Sequence, residues 1–324
     1  MQTEHVSKDD VIHCKSWWDL SEINYEKDCV DETIIPPAGL VYCNIEWITQ
    51  FFKKCELTDN KYVVISAYSD YGIAYQKDYP VSNDIIKWFP HLIPEIRELG
   101  YRSMSIGPRC YAEFCDIRHK YSIKVESFTK ETFDKIPDNI EKWFLVNCMV
   151  PDQQELIQGI PLGVAENTGQ FMSDIKHVPV EGKDNLLYIN WQNTTAERAE
   201  LQKFYKMKND QMPWVTYVDE PKPFEEYLED LSKHLFVMCP QGNGPDCHRI
   251  YEAIYAGCIP IVKNSPAMQY LQDLPILMVD DWHQVSMTNL KNAYETIQTL
   301  ELNYDKVKLS YWKNEINKAV DLIK

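Results

Sequence analysis

Between His234 and Lys263 the chain reads HLFVMCPQGNGPDCHRIYEAIYAGCIPIVK, and few folds accommodate that order of residues. Leu235 to Cys239 is a short apolar run, of the length and branching that suit a strand buried on both faces. The loop Pro240 to Pro245 holds two glycines two residues apart, and Asp246 stands where a helix N-cap belongs. Ile250, Ala253 and Ile254 then recur at helical spacing, Gly257 sits where a left-handed residue ends a helix, and Cys258 to Val262 reads as a second buried strand. Strand, glycine loop, helix and strand make a βαβ unit, which needs a parallel sheet around it.

Such a unit offers an anion site, because the first N–H groups of the helix lack helical partners and point, with the positive end of the dipole, toward the loop. Gly242 and Gly244, with Asn243 between them, let a ligand approach that backbone. His248, Arg249 and Glu252 follow at spacings that turn all three toward one pocket. Cations there suit a phosphate and a carboxylate one turn on suits a sugar hydroxyl, so the set reads as a site for a phosphorylated ribose. Each residue also has a plainer reading: the glycines as a turn, His248 as a satisfied histidine, and Arg249 with Glu252 as an i, i+3 ion pair.

The run CPQGNGPDCHRIYEAIYAGCIPIV resembles the donor-binding signature of exostosin-like glycosyltransferases, the group related to glycosyltransferase family 47. YVVISAYSDYGI at 62 to 73, WFLVNC at 143 to 148, IPLGVAEN at 160 to 167, LLYINWQNTTAERAEL at 186 to 201 and LPILMVDDW at 274 to 282 extend the likeness over residues 60 to 282. The resemblance implies a GT-B-like α/β fold, with two Rossmann-like domains facing across a cleft. It implies inverting, metal-independent transfer from a nucleotide sugar to a glycan acceptor. The expected donor is UDP-linked, such as UDP-xylose or a UDP-hexose, and no further cofactor is expected. By the same likeness Arg198, in the first turn of a helix, is the donor-phosphate arginine, a task a planar guanidinium performs better than an ammonium; an exposed helical arginine is the alternative. The donor site is thus expected to comprise Arg198, Gly242, Asn243, Gly244, Asp246, His248, Arg249 and Glu252.

A transferase of this kind needs a base to deprotonate the acceptor hydroxyl. Ligands collect beyond the carboxyl ends of strands in open α/β sheets, and Asp70 follows the apolar strand 61 to 67. Asp70 is therefore the candidate base, or else a turn-capping aspartate. Related sequences often read S-H-N-S-D here, whereas this chain carries Ala67 and Tyr68. That change keeps open a catalytically silent, sugar-binding or scaffolding protein. A nicotinamide dehydrogenase is discounted, since its G-x-G-x-x-G follows the first strand of its domain, whereas here the glycines follow the third and no third glycine stands at the required offset.

At 324 residues the chain exceeds one ordinary core, and two domains follow: 1–170 on the acceptor side and 171–303 binding the nucleotide sugar, with a packing helix at 304–324. The second domain alternates regularly, with strands at 186–190, 214–218, 235–239, 258–262 and 276–280 and helices at 196–208, 223–233, 247–256 and 266–272. In the first, strands are expected at 40–45, 61–67 and 143–150 and a helix at 46–55, with 84–135 unordered by pattern. A formal charge of −16 argues against a nucleic-acid backbone as partner. No eighteen-residue apolar run or basic-then-apolar leader occurs, so no membrane span and a cytoplasmic location are expected. Ten cysteines without C-x-x-C spacing suit free thiols. Cys110, Cys115 and His119 leave a zinc reading open. Asp280 and Asp281 lack the spacing of a D-x-D metal motif, and no metal is assigned to them. Trp17 and Trp18 are read as buried anchors rather than as a stacking platform for sugar.

Overall fold

The computed structural model describes residues 6–67, 136–148, 155–172, 183 and 185–324, apart from 30, 32, 46, 167, 194 and 243. The segment 84–135, with Cys110, Cys115 and His119, lies outside the described residues. Among the described residues two five-stranded parallel sheets organise the chain.

The first sheet contains β1 (Ile23–Asn24), β2 (Gly39–Tyr42), β3 (Tyr62–Ser66), β4 (Ile140–Leu145) and β5 (Ile157–Gly159), side by side in chain order. Val63 to Ile65 is the β-branched run that fixes its centre, and every residue of β3 is buried. Helix α1 (Ser16–Leu20) precedes the sheet, and α2 (Ile48–Cys55) buries Phe51 and Phe52 on one side of it. The Lys54 ammonium is buried too, donating to the carbonyls of Cys29, Asp31 and Ile34 and thereby tying down the lead-in.

The second sheet contains β6 (Asn185–Ile189), β7 (Val215–Tyr217), β8 (His234–Met238), β9 (Ile259–Lys263) and β10 (Leu277–Val279), in the spatial order β10, β9, β8, β6, β7. After the short α3 (Gly169–Met172), its crossovers are α4 (Ala196–Lys208), α5 (Phe224–Ser232), α6 (His248–Tyr255) and a 3-10 turn at Pro266–Leu271. Helix α4 has the expected bounds, for local reasons. The Thr195 hydroxyl accepts from the Arg198 amide at 3.2 Å, Glu197 lies in the first turn, and Lys206 and Lys208 lie in the last. Gly257 ends α6 at φ 70°, as its position in the sequence required. Helix α7 (Met287–Gln298) was not anticipated from the sequence, and neither was β1. Because β6 pairs with both β7 and β8, the winding direction reverses between β6 and β8, which is where ligands bind in open α/β sheets.

Side chains alternate across each sheet. Tyr62 and Val64 face an outer core with Phe51, Phe52 and Trp143, while Val63 and Ile65 face the opposite way. In the second sheet Leu187, Ile189, Phe236 and Met238 serve an outer core, and Tyr188 and Val237 face inward. The two inward faces belong to one continuous apolar cluster, which also takes in Trp17 and Trp312. The domains are therefore joined by a shared core and not by a linker alone. Helix α8 (Leu309–Asp321) returns to lie against β3 and β4, burying Trp312, Ile316 and Ala319. Trp312 meets Trp17 edge-on at 6.4 Å, and the Trp17 indole donates to the Pro161 carbonyl at 2.8 Å. Trp17 is thus a buried anchor, and Trp18 packs on Tyr42. Among the described residues no helix is long and apolar enough to cross a membrane.

The N-terminal segment threads between the domains. Val11 bridges Lys308, and His13 bridges Val164. Gly163 accommodates this crossing at φ +76°, where an added Cβ would lie 2.5 Å from the Ile12 carbonyl oxygen. Gly163→Ala is expected to lower the unfolding free energy by about 2–4 kcal/mol, since it combines a left-handed backbone with a backbone clash. Urea unfolding followed by tryptophan fluorescence measures it, and an unchanged midpoint would refute this account of the crossing.

Candidate functional site

The loop that follows β8 is built around a buried guanidinium. Arg198, 8% exposed, extends from the first turn of α4, and its Nε and Nη2 donate to the Pro240 carbonyl at 3.3 and 2.9 Å. Its Nη1 donates to the Gln192 carbonyl at 3.3 Å, so one side chain joins the loops after β6 and β8. A Cβ on Gly242 would stand 3.3 Å from Nη2, which explains a glycine there: the loop lies directly on the guanidinium. Burial lowers the Arg198 pKa, and the neighbouring positive charge of Arg249 lowers it further. Two guanidinium groups are thus held near one another, which favours an anion beside them.

Arg249 and Glu252 are not within ion-pairing distance; instead both bond to Tyr227, from α5. Arg249 Nε donates to the Tyr227 hydroxyl at 3.2 Å, and that hydroxyl donates to Glu252 Oε2 at 2.8 Å. The Arg249 guanidinium also lies 5.6 Å from the Tyr227 ring centroid. Burial, reinforced by the Glu252 charge, holds the Tyr227 pKa well above its ordinary value, so the phenol stays protonated and keeps donating. Burial alone would lower the Arg249 pKa; Tyr227 and Glu252 more than offset this and raise it. Tyr227 carried no signal in the sequence beyond an apolar helix position.

Arg198, Arg249, Glu252 and Tyr227 line one open pocket of about 550 Å³, with Asn190, Gln192 and Phe224. It lies beyond the carboxyl ends of β6 and β7, beside the reversal of winding. Arg249 Nη1 is buried without a hydrogen-bond partner among the described residues.

Asp246 and His248 are directed elsewhere. Cys247, not Asp246, is the N-cap of α6, at φ −138° and ψ 151°. The Asp246 carboxylate, 2% exposed, turns to the first domain and to the core: Oδ2 accepts from the Leu162 amide at 3.0 Å and from the Tyr251 and Tyr270 hydroxyls at 2.6 Å each. Burial raises its pKa against the effect of those bonds. His248 Nδ1 bonds to the Gly163 carbonyl at 2.7 Å, so the imidazole faces the domain junction and not the pocket with Arg249. Their spacing allowed both directions, and a partner in the other domain decided between them. Gly244 is buried in the same loop, while Asn243 and the candidate base Asp70 lie outside the described residues.

Asp280 and Asp281 have local roles. Asp281 makes a capping box over the turn Trp282–Gln284, and the Asp280 carboxylate accepts from the Asn264 side-chain Nδ2 at 3.0 Å. Among the described residues no three His, Cys, Asp or Glu side chains are grouped to hold a metal ion. The described cysteines are free thiols, all buried except the half-buried Cys14.

Residues 178–301 match the family model of the Exostosin GT47 domain. The second domain is thus similar to the exostosin GT47 domain over most of its length. It contains the βαβ unit, Arg198, Tyr227 and the whole α6 pocket face, so the resemblance noted in the sequence holds over the part of the chain that forms the pocket. No curated protein matches the chain. Among solved structures, "Crystal Structure Analysis of the Glycotransferase of kitacinnamycin" aligns at a TM-score of 0.37 and 13% identity, over 92% of this chain and 77% of that one. "Crystal structure of GtfA/B complex" aligns at 0.36 and 11%, over 88% of this chain and 58% of that one.

Arg198→Lys keeps the charge but not the fork that reaches two carbonyls. It is expected to cost about 1–3 kcal/mol of stability, the range for buried hydrogen bonds to a charged group. Denaturant unfolding compared with wild type checks it; equal stability would mean that the guanidinium does not hold the loop.

Proposed function

We propose that the chain is an inverting glycosyltransferase that moves a sugar from a UDP-linked donor to a hydroxyl of a glycan acceptor without a metal ion. The observation that carries this reading is the convergence of Arg198, Arg249 and Glu252 on one pocket at the reversal of winding, within a domain similar to the exostosin GT47 domain. Two guanidinium groups supply the positive charge that a departing diphosphate needs, and they supply it from fixed positions. Glu252, with Oε2 occupied by Tyr227, has its other oxygen to accept from ribose hydroxyls. The acceptor hydroxyl attacks the anomeric carbon from the face opposite the diphosphate, its proton passes to a base, and the glycosidic C–O bond to the diphosphate breaks. Asp70 is proposed as that base on its place in the sequence after β3.

Glu252→Ala is expected to weaken UDP binding about ten-fold or more, the loss of a charge-assisted hydrogen bond in a buried setting. Isothermal titration reads the affinity, and an unchanged value would sink the ribose assignment. A thermal-shift series with nucleoside diphosphates and nucleotide sugars, with and without chelator, tests the rest. One nucleotide that raises the melting temperature in both conditions is the expected result. No shift with any of them would favour the silent, scaffolding protein that Ala67 and Tyr68 left open.

A further inference from the structure

Helix α6 presents two neighbouring faces to two different parts of the molecule. Arg249 and Glu252 line the pocket. His248, Tyr251 and Tyr255, spaced by three and four residues, form the adjoining stripe. His248 bonds to the Gly163 carbonyl, Tyr251 to Asp246, which in turn takes the Leu162 amide, and the Tyr255 hydroxyl accepts from the Ile12 amide at 3.0 Å. The Tyr255 hydroxyl also donates to the Val307 carbonyl at 2.7 Å, and the Tyr251 hydroxyl meets that of Tyr270, so the stripe ties α6 to the first domain, to the N-terminal segment and to the turn before α8. Asn147, in the loop after β4 and fully buried, closes the set by accepting from the Asp246 amide at 2.9 Å.

We infer that His248 and Asp246 are positioning residues that fasten the glycine loop and α6 to the strand-end loops of the first domain, so that a nucleotide in the pocket also stiffens residues 157–164. This rests on the pocket being a nucleotide site. The physical basis is short and rigid: His248 and Arg249 are consecutive residues in one helical turn, as are Tyr251 and Glu252, so a ligand cannot restrain one face without restraining the other. A single buried carboxylate that accepts from a first-domain amide and two second-domain phenols transmits the same restraint through the loop. Two residues of the donor signature thereby act on the placement of the acceptor domain and not on the donor.

Hydrogen exchange of the full chain with and without saturating UDP tests this. In wild type, UDP is expected to slow exchange both at 248–256 and at 157–166, the latter by about five-fold or more, the lower end of ordinary coupling between sites. His248→Leu, which removes the donor to Gly163, is expected to keep the effect at 248–256 and to reduce that at 157–166 below about two-fold. His248→Asn places an amide N–H near the position of Nδ1 and is expected to restore it. Tyr251→Phe, which keeps the ring and deletes its bond to Asp246, carries the same expectation as His248→Leu should the latter fold poorly. Equal slowing at 157–166 in wild type and in the folded variants, or no recovery with His248→Asn, overturns the coupling. Absence of slowing at 248–256 in wild type instead overturns the nucleotide reading of the pocket, and the coupling with it.

Discussion

A turn buried inside a protein must find partners for its own backbone, and the turn after β8 finds them in two domains. From its own domain, Arg198 brings two N–H groups to the Pro240 carbonyl. From the other, Asn147 accepts the Asp246 amide, and the Asp246 carboxylate takes the Leu162 amide in return. A guanidinium buried this far is costly unless its donors are used, and carbonyls at fixed distances use them. The height of the loop, the entry angle of α6 and the shape of the pocket all follow from those few bonds. Gly242 suits that closeness, because a Cβ there would press to 3.3 Å from the guanidinium.

The electrostatics of the pocket depend on a neutral group between two charges. A direct Arg249–Glu252 pair would turn both charges toward each other and leave little for a ligand. The Tyr227 phenol separates them, accepting from one and donating to the other, and its burial keeps it from ionising. Cation and carboxylate are both held in place while each retains capacity toward the open side. Preorganisation of this kind lowers the entropy lost when a ligand binds.

Much of the second domain could be read from residue order alone, since most of its strands lie in apolar runs separated by segments of helical spacing. Thr195 caps the start of α4, at the bound expected from the sequence, and Gly257 marks the end of α6, each for a stereochemical reason that needs no tertiary context. β1 escaped because two residues carry no period, and its pairing with β2 is the only thing that makes it a strand. Helix α7 escaped because only Leu290 and Ile297 in it are buried. The site was legible as a set of residues but not as a geometry. Arg198, Arg249 and Glu252 meet as their spacing suggested; Asp246 and His248 answer to Leu162 and Gly163, more than eighty residues away in sequence. No local pattern encodes a partner at that separation. Tyr227 is a similar case, a core tyrosine by spacing whose hydroxyl belongs to the pocket.

The chain enters the second sheet after Met172 and leaves it after α7 to lay α8 on β3 and β4. The two halves are thus joined by two chain crossings in addition to the apolar core that they share. The N-terminal strip adds further ties, bonded at Val11 to Lys308, at Ile12 to Tyr255 and at His13 to Val164. Rotation of one half against the other would have to break those bonds as well as part the shared core, so residues 11–13 act as a brace between the halves.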